Sequence, residues 1–194
     1  MKIENVEMMG LESAVKASKY PMLVDTNNAT NKITKTVKGL GSCDSGTAHD
    51  SFLKGIVIQY DLTCNHVMLP QFMRYHFHDI VSSQSKMHRI SKMDLHNSCD
   101  QYVRPDVIEI AQEEIDKYLS MKLNKEDQCD IKKQYEVVMS NLPMGLELTM
   151  RVTSNYLQLK SIYHQRKGHR MSFWKDYCDW VENLPFFREL VLNE

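Results

Sequence analysis

Hydrophobic and polar residues alternate along three short segments, as they do in strands with one buried face. These segments are 2–8, 55–62 and 146–153, and the second is rich in β-branched residues. Apolar residues in helical spacing separate them, over 11–20, 67–79, 105–119, 131–142, 155–167 and 171–183. A polar stretch over 25–51, with a short helix near 32–38, is otherwise predicted as loop. The pattern predicts one α/β domain that spans residues 1–194.

Proline, glycine and serine mark several helix ends in this pattern. Pro105 is placed to open the long helix that follows it, and Pro143 stops the helix over 131–142. Ser154 is the predicted N-cap of the helix over 155–167, and Gly168 is predicted to end that helix.

Composition and charge exclude several classes of protein. The 194 residues are 42% hydrophobic and 25% charged, and the formal net charge is −1. That balance gives no overall attraction to nucleic acid or to an anionic membrane, so any anion site must be local. No apolar run reaches the roughly 20 residues of a membrane helix, and the N-terminus lacks a signal-peptide pattern. We therefore expect a cytoplasmic protein that binds neither membrane nor nucleic acid.

The five cysteines are odd in number, scattered, and never spaced as Cys-x-x-Cys. This spacing argues against structural zinc and against a disulfide framework, and it suits a reducing compartment. His76, His78 and Asp79 suggest a metal site, but helical residues two apart point in different directions, so no metal is predicted.

The densest cluster of polar donors lies at residues 74–89, which hold two arginines, one lysine, three histidines and three serines among sixteen positions. Placed beside a strongly apolar strand, such a cluster indicates an anion-binding site. A solvated loop is the alternative, because serine, glutamine and histidine are ordinary surface residues.

A second basic cluster follows the helix over 155–167. Asn155 and Arg166 are predicted to share one face of this helix with Leu159 and Ile162. An arginine on an apolar face needs an anionic partner, either a carboxylate or a bound phosphate. Lys167, His169 and Arg170 add positive charge at the end of the helix, where they also complement the helix dipole.

Residues 77–89 resemble the signature of the flavin-dependent thymidylate synthases. That signature reads Arg-His-Arg-x-x-Ser-x-Asn-Glu-x-Ser-x-Arg, where x is any residue. His78, Ser82 and Arg89 agree with it, and Gln84 is a mild change from asparagine. The positions that depart from the signature are Phe77, Asp79, Ser85 and Met87.

Other segments extend this resemblance over nearly the whole chain. Residues 48–52 resemble the family's Gly-His-Glu-Thr-Pro stretch, whose histidine lies against the flavin, and 141–143 resemble its Leu-Pro turn. Asn155 and Arg166 keep the spacing of its FAD-contacting asparagine and nucleotide-binding arginine. Leu157 and Met139 stand where the family has a flavin-contacting and a phosphate-binding arginine.

The resemblance implies an α+β fold with a mixed or antiparallel sheet flanked by helices. The residues it implies for cofactor binding are His49, Ser51, His78, Ser82 and Asn155. The residues it implies for substrate binding are Arg74, Gln84, Ser85, Arg89 and Arg166. Phe77 stands where the signature has its first arginine. Arg74 is included because it is predicted one helical turn earlier on the same face and could place its guanidinium near that position. No catalytic residue is assigned, although Arg166 is the candidate.

The implied reaction is the reductive methylation of dUMP to dTMP by a homotetramer with flavin sites between its subunits. Methylenetetrahydrofolate supplies the carbon, and FAD, reduced by NADPH, supplies the hydride. Two other functions stay open. The chain either acts on another pyrimidine nucleotide or is a non-catalytic protein that binds a flavin or nucleotide.

Overall fold

The computed structural model describes residues 1–44, 46–75 and 78–194 of the chain. Four strands form one antiparallel sheet in the order β1-β2-β4-β3. Their bounds are β1 Lys2–Met9, β2 Val57–Asn65, β3 Asp79–Ser83 and β4 Glu147–Asn155. The helices that flank the sheet are α1 Leu11–Ala17, α2 Lys35–Gly41, α3 Leu69–Phe72, α4 Lys86–Arg89, α5 Pro105–Leu123, α6 Gln128–Asn141, α7 Tyr156–Arg166 and α8 Ser172–Glu182. The predicted fold class is confirmed.

The two central strands show why their sequences form a sheet. Side chains along β2 and β4 alternate between buried and half-buried positions from end to end. Because successive side chains of a strand point to opposite faces, one face of each strand joins the core. The buried members are Ile58, Tyr60, Leu62 and Cys64 on β2, and Leu148, Met150, Val152 and Ser154 on β4.

The chain divides into two compact units, and β2 and β4 each contribute residues to both. The first unit comprises Met1–Lys2, Leu62–Arg74 and Ser82–Met150. Its core lies around α5 and α6 and contains Ile90, Met93, Leu95, Ile108, Ala111, Ile115, Tyr118, Val138 and Leu146. Within it, the buried Gln134 donates a hydrogen bond to the main-chain oxygen of Glu114 at 3.2 Å, which ties α6 to α5. The prediction of a single domain stays a prediction.

The second unit comprises Ile3–Asp61, Tyr75–Val81 and Arg151–Glu194. Its largest fully buried side chains include Trp174, Tyr60, Tyr156, Tyr177 and Phe187. The backbones approach closely at Gly41, where a Cβ atom would lie 2.1 Å from the main-chain oxygen of Leu190. Glycine is therefore needed at the end of α2, because any side chain would force the two segments apart.

The predicted helix over residues 67–79 is confirmed at its start, where Pro70 lies in the first turn of α3, but its extension to residue 79 is wrong. α3 ends at Phe72, Met73 and Arg74 form a turn, and Asp79–Ser83 is an edge strand beside β4. Apolar spacing over a short segment does not distinguish a helix from a strand whose partner lies elsewhere in the chain. His76 and Phe77 lie outside the described residues, and the argument that placed Arg74 on a helical face with Phe77 fails.

Candidate functional site

A pocket of about 560 Å³ lies in the second unit, where the segment before β2 meets the start of α7. Its lining residues are Gly46, Ala48, Asp50, Ser51, Lys54, Asn155, Leu157, Gln158 and Ser161. Ser51 and Asn155, which were both predicted to contact a cofactor, are thus brought to one pocket although they are far apart in the sequence. His49 begins the 3-10 helix His49–Gly55 and is exposed beside this lining.

Asn155 caps the start of α7 and also lines the pocket. Its side-chain oxygen accepts a hydrogen bond from the Gln158 main-chain nitrogen at 3.1 Å, and Gln158 Oε1 accepts one from the Asn155 main-chain nitrogen at 3.0 Å. This reciprocal capping box makes Asn155 the N-cap, so the prediction of Ser154 was wrong by one residue. Within the described residues the Asn155 amide nitrogen donates to no protein group, which leaves a donor for a ligand in the pocket.

Asp50, which lines the pocket, forms a buried ion pair with Lys160. Asp50 is 3% exposed and Lys160 is 2% exposed. Lys160 Nζ lies 2.7 Å from Asp50 Oδ2 and also donates to the main-chain oxygens of Gly41 and Cys43, at 2.9 and 2.6 Å. These three acceptors match the three donors of an ammonium group. Lys160 therefore fixes the end of α2 and the start of the His49–Gly55 helix to α7.

Arg166 lies on the same helix, α7, one residue before its C-cap. Its Nε atom donates a hydrogen bond to the Tyr75 hydroxyl at 2.5 Å, and its guanidinium carbon lies 4.4 Å from the centre of the Trp174 ring. Among residues 1–44, 46–75 and 78–194, Arg166 forms no ion pair with a carboxylate. The sequence suggests either a carboxylate or a bound anion as its partner, and the residues that the structure describes supply no carboxylate.

Positive charge is concentrated around this arginine. The pKa of His169 is lowered from its usual value by burial, and then by the charges of Arg166 and Arg170. The His169 ring lies 6.3 Å from that of Trp174. Arg166 and Arg170 thus bring two positive charges close to one ring, and a local excess of cations suits an anionic ligand.

In the first unit, Gln84, Ser85 and Arg89 lie together at the junction of β3 and α4. Arg89 Nη1 donates to Gln84 Oε1 at 2.8 Å, and the Ser85 hydroxyl accepts from the His88 main-chain nitrogen at 3.4 Å as the cap of α4. Ser82 is exposed on β3, whereas His78 is half-buried. Burial lowers the pKa of His78, and the charge of Asp79 opposes this shift.

The two departures outside the signature have clear places in the structure. Leu157 lines the pocket and gives it an apolar wall in place of a cation. Met139 is partly buried against the core of the first unit. Met139 thus packs in the core at a position where the sequence resemblance would lead one to expect a phosphate-binding arginine.

Several site residues were not found from the sequence. They are Asp50, Lys160, Gln158, Tyr75 and Trp174. A signal existed for Lys160, because it falls inside the apolar face that α7 buries, beside Leu159 and Tyr163. A lysine at such a position requires a buried acceptor, but no local pattern indicates that Asp50 supplies it.

All five cysteines are free thiols. Burial is the main cause that raises the pKa of Cys64 to about 12 and those of Cys99 and Cys178 to about 11. In the part of the chain that the structure describes, no three His, Cys, Asp or Glu residues are grouped to hold a metal ion. No helix there is both long enough and apolar enough to cross a membrane.

Comparison with solved structures finds the same fold in thymidylate synthase X (ThyX) from Helicobacter pylori, in crystals with FAD and dUMP. One such structure has a TM-score of 0.72 at 10% identity, covering 100% of this chain and 98% of that one. Another has a TM-score of 0.70 at 10% identity, covering 100% and 99%. No protein-family model and no curated protein sequence matches this chain. The likeness establishes a ThyX-like fold over the full length of the chain.

Proposed function

We propose that this protein binds FAD and catalyses the reductive methylation of dUMP. The observation that carries the proposal is that Ser51 and Asn155, assigned to the cofactor by resemblance, line one pocket. The fold in which they do so is that of ThyX proteins crystallised with FAD and dUMP. In the balanced reaction, dUMP, methylenetetrahydrofolate, NADPH and a proton give dTMP, tetrahydrofolate and NADP⁺.

The residues present at the pocket suit a flavin cofactor. The Asn155 amide and the Ser51 hydroxyl are hydrogen-bonding groups, Leu157 is an apolar wall, and Lys54 is a cation that suits a pyrophosphate. Bound FAD would accept hydride from NADPH and deliver it to the methylene carbon carried on the pyrimidine. The protein's part is to bind and orient the reactants and to exclude water.

Two arginines are proposed to bind the nucleotide. Arg166 Nε donates to the Tyr75 hydroxyl, and its guanidinium lies over the Trp174 ring. Within the described part of the chain its two terminal nitrogens donate to no group, so they are available to a phosphate or a pyrimidine oxygen. Arg89 is the second, and Gln84 fixes its side chain. The cofactor roles of His49, His78 and Ser82 and the substrate roles of Arg74 and Ser85 stay predictions.

A titration with FAD tests the cofactor part of this proposal. We expect the purified protein to take up FAD, with a shifted flavin absorbance band and a higher melting temperature. Asn155→Asp is the informative variant, because aspartate caps a helix as well as asparagine does but lacks the amide donor. It should retain the wild-type melting temperature and bind FAD more weakly. A colourless protein with no thermal shift in excess FAD contradicts the proposal.

The substrate part is tested by tritium release from dUMP labelled at C5, with methylenetetrahydrofolate and NADPH present. Release that depends on all three components supports thymidylate synthesis. If the protein binds FAD but releases no tritium, dUMP methylation is refuted, whereas the proposed flavin site is still supported. The same assay with other labelled pyrimidine nucleotides then identifies a different substrate.

A further inference from the structure

Only one of the two carboxylate oxygens of Asp50 has a hydrogen-bond partner among the described residues. Its Oδ2 atom is bound to Lys160 at 2.7 Å. Its Oδ1 atom has no hydrogen-bond partner among the described residues, although the side chain is only 4% exposed. In the part of the chain that the structure describes, Oδ1 is not one of the fully enclosed polar atoms that lack a partner, so it remains open to water or to a ligand. Asp50 lines the pocket, so a ligand bound there can approach its carboxylate.

Lys160 alone does not account for this arrangement. A purely structural link between α2 and α7 needs the lysine and the oxygens of Gly41 and Cys43, which it has. The carboxylate adds an acidic group to a pocket wall and must be desolvated along with the lysine. The ion pair holds the carboxylate in one orientation, since Lys160 binds only one of its two oxygens.

We propose that Asp50 is a specificity-determining residue of this pocket, with Oδ1 accepting a hydrogen bond from a hydroxyl or N–H group of the cofactor, and that Lys160 is the residue that positions it. This inference rests on the proposed FAD function. A carboxylate oxygen at this point favours a ligand that places a hydrogen-bond donor against it. It disfavours a phosphate at the same point, because the two negative charges repel each other. The groups of FAD that qualify are the ribityl and ribose hydroxyls, the N3–H of the flavin ring and the adenine amino group.

Two charge-neutral double variants separate an acceptor role from a structural one. Asp50→Ala/Lys160→Met and Asp50→Asn/Lys160→Met both remove the buried charges, but only the second leaves an oxygen acceptor beside the pocket. We expect the first to bind FAD roughly 10- to 100-fold more weakly than the wild-type protein. The second should recover most of that loss. Circular dichroism melting curves establish that both are folded.

If the alanine variant does not fold, Asp50→Leu/Lys160→Met fills the same space without an acceptor and takes its place. FMN and ADP, titrated separately, locate the donor, because only the half of FAD that contacts Asp50 should lose affinity. Equal losses in the acceptor-containing and acceptor-free variants would show that the pair is only structural, and wild-type affinity in both would show that Asp50 makes no contact. Either result overturns the inference while the wild-type protein still binds FAD. A wild-type protein that binds no FAD overturns the proposed function itself.

Discussion

Gln84 fixes the position of Arg89. The Gln84 side-chain oxygen accepts a hydrogen bond from Arg89 Nη1 at 2.8 Å and a second from the main-chain nitrogen of Thr149, on β4, at 3.0 Å. Arg89 also approaches the main-chain oxygen of Glu147 at 3.5 Å. The guanidinium is thereby held against the sheet. Glutamine at this signature position therefore has a definite structural role.

This geometry predicts graded effects at the two positions. Arg89→Ala should weaken dUMP binding by roughly 10- to 150-fold, because a charge-assisted contact is worth about 1.5–3 kcal/mol. Gln84→Ala should weaken it by only about 2- to 10-fold, since the arginine remains but loses its orientation. Isothermal titration with dUMP measures both. Lys92→Ala, which removes an exposed cation nearby, is the matched control and should bind normally.

Arg166 should matter for binding more than for folding. Removing its guanidinium with Arg166→Met keeps an apolar chain on the Trp174 ring, so the melting temperature should change little. Binding of dUMP should fall roughly 10- to 150-fold. Arg166→Lys should restore only part of the affinity, because lysine lacks the planar pair of donors.

Lys175→Ala is the control for this series, since Lys175 is an exposed cation close by in the sequence and lies outside the basic cluster. It should leave dUMP binding within about two-fold of the wild-type value. An Arg166→Met protein that binds dUMP normally but melts several degrees lower would show that the arginine serves the fold alone.

Three of the cysteines should resist alkylation in the folded protein. With pKa values of about 12 for Cys64 and about 11 for Cys99 and Cys178, these thiols stay protonated at pH 8, and thiolate appears only as the pH rises toward those values. Iodoacetamide at pH 8 should label the exposed Cys129 and spare these three, whereas all five should react in urea. Peptide mass spectrometry reads the pattern. Rapid labelling of Cys64 without urea would contradict it.

The protein should assemble as a homotetramer when FAD is present. The pocket of one chain, at about 560 Å³, suits a drug-sized molecule, whereas FAD contains two nucleotides and needs further walls. Light scattering should give a mass four times the 22.7 kDa of one chain. A monomer mass at micromolar protein with saturating FAD would refute the prediction.

Local sequence determined most of the secondary structure. The alternation along β2 and β4 and the apolar spacing of α5 and α6 located these elements, because strand and helix periodicities are properties of the chain itself. The cluster at residues 74–89 and the spacing of Asn155 and Arg166 are likewise visible in the sequence, and they indicate candidate site residues without knowledge of the fold.

Only the tertiary structure decided which distant residues became partners. Asp79–Ser83 forms a strand because β4 offers it an edge, and this overrides the helical spacing of the preceding residues. Lys160 pairs with Asp50, and Arg166 packs on Trp174 in place of a carboxylate, through contacts that no local pattern specifies. A charged residue within an apolar stripe indicates that a buried partner is needed, but the fold determines which residue supplies it.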